Sequence, residues 1–187
     1  MSIHKLKSLI KETLLEATAR TRDRSRLRSK TLYVFDFDHT IAKTIEENIR
    51  LPDGRVDLRA FSGLSKQTKP NGRIFDLFAD NVANNPTTTF ILTARPPAVK
   101  EPMLEWLSEH GVDIDPENVI CLGSSAGSKK RQWIKDKIIE LNATKAMFWD
   151  DRESNTKAVE QLQDINKHPE MENVEVVVTL VPKKVKP

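Results

Sequence analysis

The chain has 187 residues, 38% of them hydrophobic and 30% charged. That size and balance suit one globular domain with an appended arm, and exclude a membrane-embedded chain or a charge-dominated disordered one. Thirty Lys and Arg against 27 Asp and Glu leave a net charge of +3, too mild by itself to imply a polyanionic partner. The single cysteine, Cys121, excludes an intrachain disulfide framework or a cysteine-rich zinc site, and the four histidines at 4, 39, 110 and 168 are scattered. Any metal ion is therefore expected on carboxylates. The longest apolar stretch, residues 174–181, is too short to span a bilayer, and the N-terminus shows no apolar core followed by a small-residue cleavage site. No membrane partner and a cytoplasmic address (host cytoplasm for a viral protein) are the expectations.

In chain order, Ile3, Leu6, Leu9, Ile10, Leu14 and Leu15 recur at helical intervals and predict an amphipathic helix over residues 3–19, packed on its own domain or mediating association. Residues 19–30 carry Arg20, Arg22, Arg24, Arg26, Arg28 and Lys30 against Asp23 alone, and read as a linker. Its cations suit either a solvated connection or a phosphate backbone. Residues 1–30 thus form an expected arm and residues 31–187 the domain. From Thr31, short apolar runs alternate with helical patterns, the signature of an α/β fold with a central parallel sheet. Strands are expected at 31–35, 88–92, 119–122, 145–149 and 174–181, with covering helices at 72–83, 97–110, 129–141 and 153–166. A hairpin around Pro52, Asp53 and Gly54 is expected within residues 49–58.

In an open parallel sheet, ligands bind beyond the carboxyl ends of the strands. The residues found there are Asp36-Phe37-Asp38-His39-Thr40, then Thr93-Ala94-Arg95, then a Gly/Ser-rich turn before Lys129 and Lys130, and last Asp150-Asp151. Carboxylates gathered at one sheet edge repel unless a cation compensates them, and oxygen-only ligation suits Mg²⁺. A Thr hydroxyl and a Lys from two other strand ends would supply donors to a phosphoryl group. The turn Gly123-Ser-Ser-Ala-Gly127-Ser-Lys129 is not a nucleoside-triphosphate loop, having one residue too few between its glycines and no Gly-Lys-Ser/Thr ending.

The ordered set Asp36-Phe-Asp-His-Thr40, Ile91-Leu-Thr93-Ala-Arg95, Lys129/Lys130 and Trp149-Asp-Asp151 resembles the haloacid dehalogenase (HAD) superfamily of phosphohydrolases, polynucleotide phosphatase domains included, over roughly residues 31–165. The resemblance implies a three-layer Rossmann-like fold, here with a minimal cap. It also implies Asp36 as nucleophile forming an aspartyl-phosphate, Asp38 as general acid and base, and Thr93 as a phosphoryl ligand. Mg²⁺ would be held by Asp36, the backbone carbonyl of Asp38 and Asp150, with Asp151 close behind. Lys130 is favoured as the catalytic-site lysine because its spacing to Trp133 and Ile134 fits, although a helix frame shifted by one would select Lys129. Ala94, Arg95, Lys129 and Lys130 join Thr93 as the expected substrate-binding residues, with Arg95 suited equally to a substrate anion or to a protein carboxylate. His39 stands where the family often has glycine, and Asn155 is placed to hydrogen-bond within the acidic loop. Trp106, Trp133 and Trp149 fit the core better than a base-stacking platform.

Residues 41–70 and 95–119 leave little room for a cap, and the resemblance then implies an open site for phosphates on larger molecules, such as polynucleotide 3′ ends, or for nucleotides. An alternative reading makes the chain a phage-assembly-associated or nucleic-acid-binding relative whose arm is a targeting or docking segment. Leu14-Leu15-Glu16 before Ala17 resembles the signal at which tailed-phage prohead proteases trim targeting peptides.

Overall fold

A computed structural model describes residues 30–44 and 68–182; the expected arm at 1–30, apart from Lys30, and the hairpin at 49–58 lie outside the described residues. The described chain opens with β1 (Thr31–Phe35), whose side chains alternate between two faces as strand geometry requires. Leu32 and Val34 enter one core, and Tyr33 and Phe35 the other. Next come β2 (Ala42–Lys43) and β3 (Lys69–Pro70), a short antiparallel ribbon. Helix α1 (Arg73–Asn84) leads to β4 (Thr89–Thr93), and α2 (Lys100–Glu109) to β5 (Val119–Cys121). Helix α3 (Gly127–Leu141), β6 (Lys145–Asp150), α4 (Glu153–Glu160) and β7 (Glu175–Leu180) complete the order.

The central sheet runs β5-β4-β1-β6-β7 with every pairing parallel. Helices cover both faces, as a parallel sheet requires. Phe75 and Phe78 of α1 and Met103, Trp106 and Leu107 of α2 pack on the Phe35 side, where Phe35 also stacks on Trp149 at 4.3 Å. Ile134 and Ile138 of α3 and Val159 of α4 pack on the Leu32 and Val34 side with Phe90, Leu92 and Phe148. The fold is thus α/β with a Rossmann-like five-strand order. No helix among the described residues is long and apolar enough to cross a membrane.

All five expected strands of the sheet are present, within one residue at each end. The helices depart more. The expected helix 97–110 begins as a 3-10 turn at Pro97–Val99 and becomes α-helical only from Lys100. The expected helix 153–166 is cut at Glu160 and followed by a 3-10 turn at Gln161–Gln163; its last buried side chain is Leu162, after which Asp164 turns extended (φ −77°, ψ 92°) and starts the return toward β7. Helix α3 starts two residues before the expected 129, which sets the frame of the lysines described below.

Candidate active site

The chain moves outward from β1 through β4 to β5, then returns to the other side of β1 as β6. The sheet therefore reverses direction between β1 and β6, the position where open α/β sheets form a crevice beyond their strand ends. Phe35 pairs with Trp149, and the Asp36 N–H donates to the Trp149 carbonyl at 2.9 Å, so Asp36 and Asp150 leave the sheet at the same level. Both are buried, Asp36 at 6% exposure and Asp150 at 0%.

Lys130 reaches this pair from α3. Its Nζ donates to Asp36 Oδ1 at 2.6 Å and to Asp150 Oδ2 at 2.7 Å, with the lysine side chain 1% exposed. Gly127 allows the approach: a Cβ there would lie 2.9 Å from the Ala158 Cβ and 3.0 Å from the Ser154 carbonyl oxygen of α4. Starting the helix at Gly127 places Lys130 inward and leaves Lys129 exposed, so the described geometry brings Lys130 into the cluster and not Lys129.

Asp150 is further tied down. The Asn155 amide donates to both its carboxylate oxygens at 3.1 and 3.0 Å, and the Arg152 N–H donates to Oδ1 at 2.8 Å. Asn155 is 2% exposed, and its expected role in the acidic loop is the one it has. Asp36, Asp150 and Asp151 each offer a carboxylate oxygen within 4.8 Å of the others. Three carboxyl groups stand around a single ammonium, so the donor set carries an excess of negative charge. Burial raises the Asp36 pKa to about 7, with the Asp150 and Asp38 charges adding to the shift and Lys130 opposing it. Burial works to lower the Lys130 pKa, and the charges of Asp36 and Asp150 override it, leaving it above the ordinary lysine value. An excess of buried negative charge presented by oxygen atoms alone fits a hard divalent cation.

Asp38 stands apart from this group. Its side chain is 23% exposed and bound in a fork by Arg95, with Nη2 to Oδ1 at 2.8 Å and Nε to Oδ2 at 2.9 Å and to Oδ1 at 3.2 Å. The Arg95 guanidinium lies 5.2 Å from the Phe37 ring centroid. Thr93 ends β4, fully buried, and its hydroxyl oxygen accepts the Arg95 N–H at 3.2 Å. Ala94 between them is half-buried. His39 adopts φ 58°, the left-handed region that glycine enters most easily and that histidine also visits. Trp106 and Trp149 are buried, and Trp133 packs at the margin of the second core.

One positioning residue escaped the sequence. The Asn71 side chain donates to the carbonyls of His39 at 3.0 Å and Thr40 at 2.8 Å, while its own N–H donates to Ile41 at 2.9 Å. It thereby clamps the loop that follows Asp38. The only local signal is the turn-like Pro70-Asn71-Gly72, which gives no hint of partners some thirty residues earlier. Compared with protein-family models, curated proteins and solved structures, the chain matches none.

Proposed function

We propose that the chain is a Mg²⁺-dependent phosphomonoester hydrolase of the HAD type that works through an aspartyl-phosphate on Asp36. The observation that carries this reading is the buried Lys130 ammonium bridging Asp36 and Asp150 at the sheet's reversal. A purely structural ion pair would need one carboxylate per lysine. Here a second and third are held at the same point, against the cost of burying unpaired charge.

Asp36, Asp150 and Asp151 would hold the ion, together with the backbone carbonyl of Asp38. Bound there, Mg²⁺ supplies positive charge that offsets the repulsion between a carboxylate nucleophile and a phosphoryl group. Asp36 attacks phosphorus, and Lys130 favours its ionised form against burial. The Thr93 hydroxyl, whose oxygen accepts from Arg95, keeps its proton for a phosphoryl oxygen. Asp38 gives a proton to the ester oxygen as the bond from phosphorus to that oxygen breaks. It takes one back from the water that then attacks the aspartyl-phosphate, so phosphate leaves and both aspartates are restored. The partly exposed position of Asp38 suits a group that meets the leaving alcohol. The short connections around the sheet favour substrates too large to be enclosed, with polynucleotide 3′-phosphates or nucleotides as the first choices.

The test is phosphate release from an aryl phosphate, nucleoside monophosphates and a 3′-phosphorylated oligonucleotide, with Mg²⁺ or with chelator. Turnover that requires Mg²⁺ and disappears in Asp36→Asn is expected. Turnover that survives in Asp36→Asn, or none on any of the esters, would overturn the reading.

A further inference from the structure

The geometry points to Arg95 as a positioning residue for Asp38, one that selects which carboxylate oxygen handles the proton. This inference rests on the phosphohydrolase reading above and assigns within it a role that Asp38 alone does not explain. A carboxylate 23% exposed at a loop is free to rotate unless something holds it, and proton transfer requires one oxygen within hydrogen-bond reach of the ester oxygen. Arg95 provides that restraint. Its side chain is 3% exposed, its guanidinium lies over the fully buried Phe37 ring, and its backbone is fixed on both sides: the N–H by the Thr93 hydroxyl at 3.2 Å and the carbonyl by the Gly123 N–H at 3.0 Å. A planar guanidinium anchored in this way presents its donors at fixed angles, which a lysine ammonium does not.

The fork is asymmetric. Oδ1 accepts from Nη2 at 2.8 Å and again from Nε at 3.2 Å, whereas Oδ2 accepts from Nε alone at 2.9 Å. A carboxylate oxygen has two acceptor positions. Both on Oδ1 are taken, and one on Oδ2 is left. Oδ2 is therefore the oxygen that carries the proton to the leaving group and receives one from water, while Oδ1 serves as the anchor. The Nε and Nη2 donors of Arg95 are committed to this task, and Arg95 acts on catalysis through Asp38 without itself binding the transferred phosphoryl group.

Leaving groups of different acidity separate this role from substrate binding. A nitrophenolate leaves with little need of a proton, and a methoxyphenolate needs one. We expect kcat/KM, which reports transfer to Asp36, to depend weakly on the leaving group in the natural chain across a series of substituted phenyl phosphates. In Arg95→Lys and Arg95→Ala the dependence should steepen, with a loss of about tenfold or more on the methoxyphenyl ester and much less on the nitrophenyl ester. Methylguanidinium added to Arg95→Ala should restore the methoxyphenyl rate. In an Asp38→Asn background, Arg95→Lys should leave the slope unchanged, because a residue that acts through Asp38 has nothing left to position. Should Arg95→Ala not fold, as judged by its melting transition, Arg95→Lys carries the test. An equal loss on every ester, or a loss confined to KM, would overturn the inference while leaving the phosphohydrolase reading intact. A natural chain inert on the whole series would overturn both.

Discussion

Asp36 and Asp38 are two residues apart in the sequence and occupy opposite environments. Asp36 is buried beside a buried lysine and a second buried carboxylate, and its pKa is pushed up to about 7. Asp38 is partly exposed and gripped by a planar arginine. The end of the strand separates them: Asp36 still extends the β1 ladder, its N–H on the Trp149 carbonyl, while Asp38 belongs to the loop that Asn71 closes. One short segment thus supplies two carboxylates in unlike surroundings, which under the proposed reading would serve as nucleophile and proton carrier.

The strongest way to break this contrast is to remove the lysine. Lys130→Ala leaves Asp36 and Asp150 without their cation, and losing one partner of a buried ion pair costs about 3–5 kcal/mol. We expect the lower end, about 3 kcal/mol in urea unfolding, because Asp36 can take up a proton in place of the lost charge. The loss should shrink when Mg²⁺ is present. Gly127→Ala acts on the same side by steric means. Its methyl would meet Ala158 and Ser154, forcing α3 and α4 apart at a cost of about 1–3 kcal/mol, and turnover should fall with the displacement of Lys130.

A pH series sharpens the contrast without altering a contact. Between the ordinary aspartate value of 3.8 and about 7, the folded metal-free chain binds a proton at Asp36 that the unfolded chain has released. Its stability from this group is therefore full at the acid end and declines as pH rises through that window. Calorimetric melts in chelator should show the decline, Asp36→Asn should remove it, and added Mg²⁺ should reverse it because the ion competes with the proton. On the Asp38 side the smallest effect is expected from Asn71→Ala. It deletes two hydrogen bonds to the loop at 39–40, about 1–2 kcal/mol in chemical denaturation, and should leave the pH window of Asp36 where it is.

The five strands were legible because each is a short apolar run ended by a polar residue, and register then follows from burial of both faces. Asp36, Asp38, Thr93, Asp150 and Asp151 could be named from their places after those runs. The lysine could not be fixed with the same certainty. Which of Lys129 and Lys130 points inward depends on where α3 begins, and that depends on how closely Gly127 approaches α4, a contact between elements that no local pattern encodes. Arg95 was ambiguous for a related reason, since its partner lies 57 residues away. Asn71 left no usable signal, because its hydrogen bonds run to backbone carbonyls of residues whose identity does not matter to it.

Lys130 lies 94 residues from Asp36 and 20 from Asp150, and β1, which carries Asp36, is the middle strand of the sheet. The constellation is therefore completed only when β6 pairs with β1, Phe35 opposite Trp149, a contact distant in the sequence that forms late because loop closure must be met before parallel pairing rewards it. A nascent chain released before β6 would have Asp36, Asp38 and Lys130 but neither Asp150 nor Asp151 to complete the set around the lysine and the ion. If the proposed hydrolase activity holds, its recovery during refolding should coincide with docking of β6 on β1 and so time the completion of the sheet.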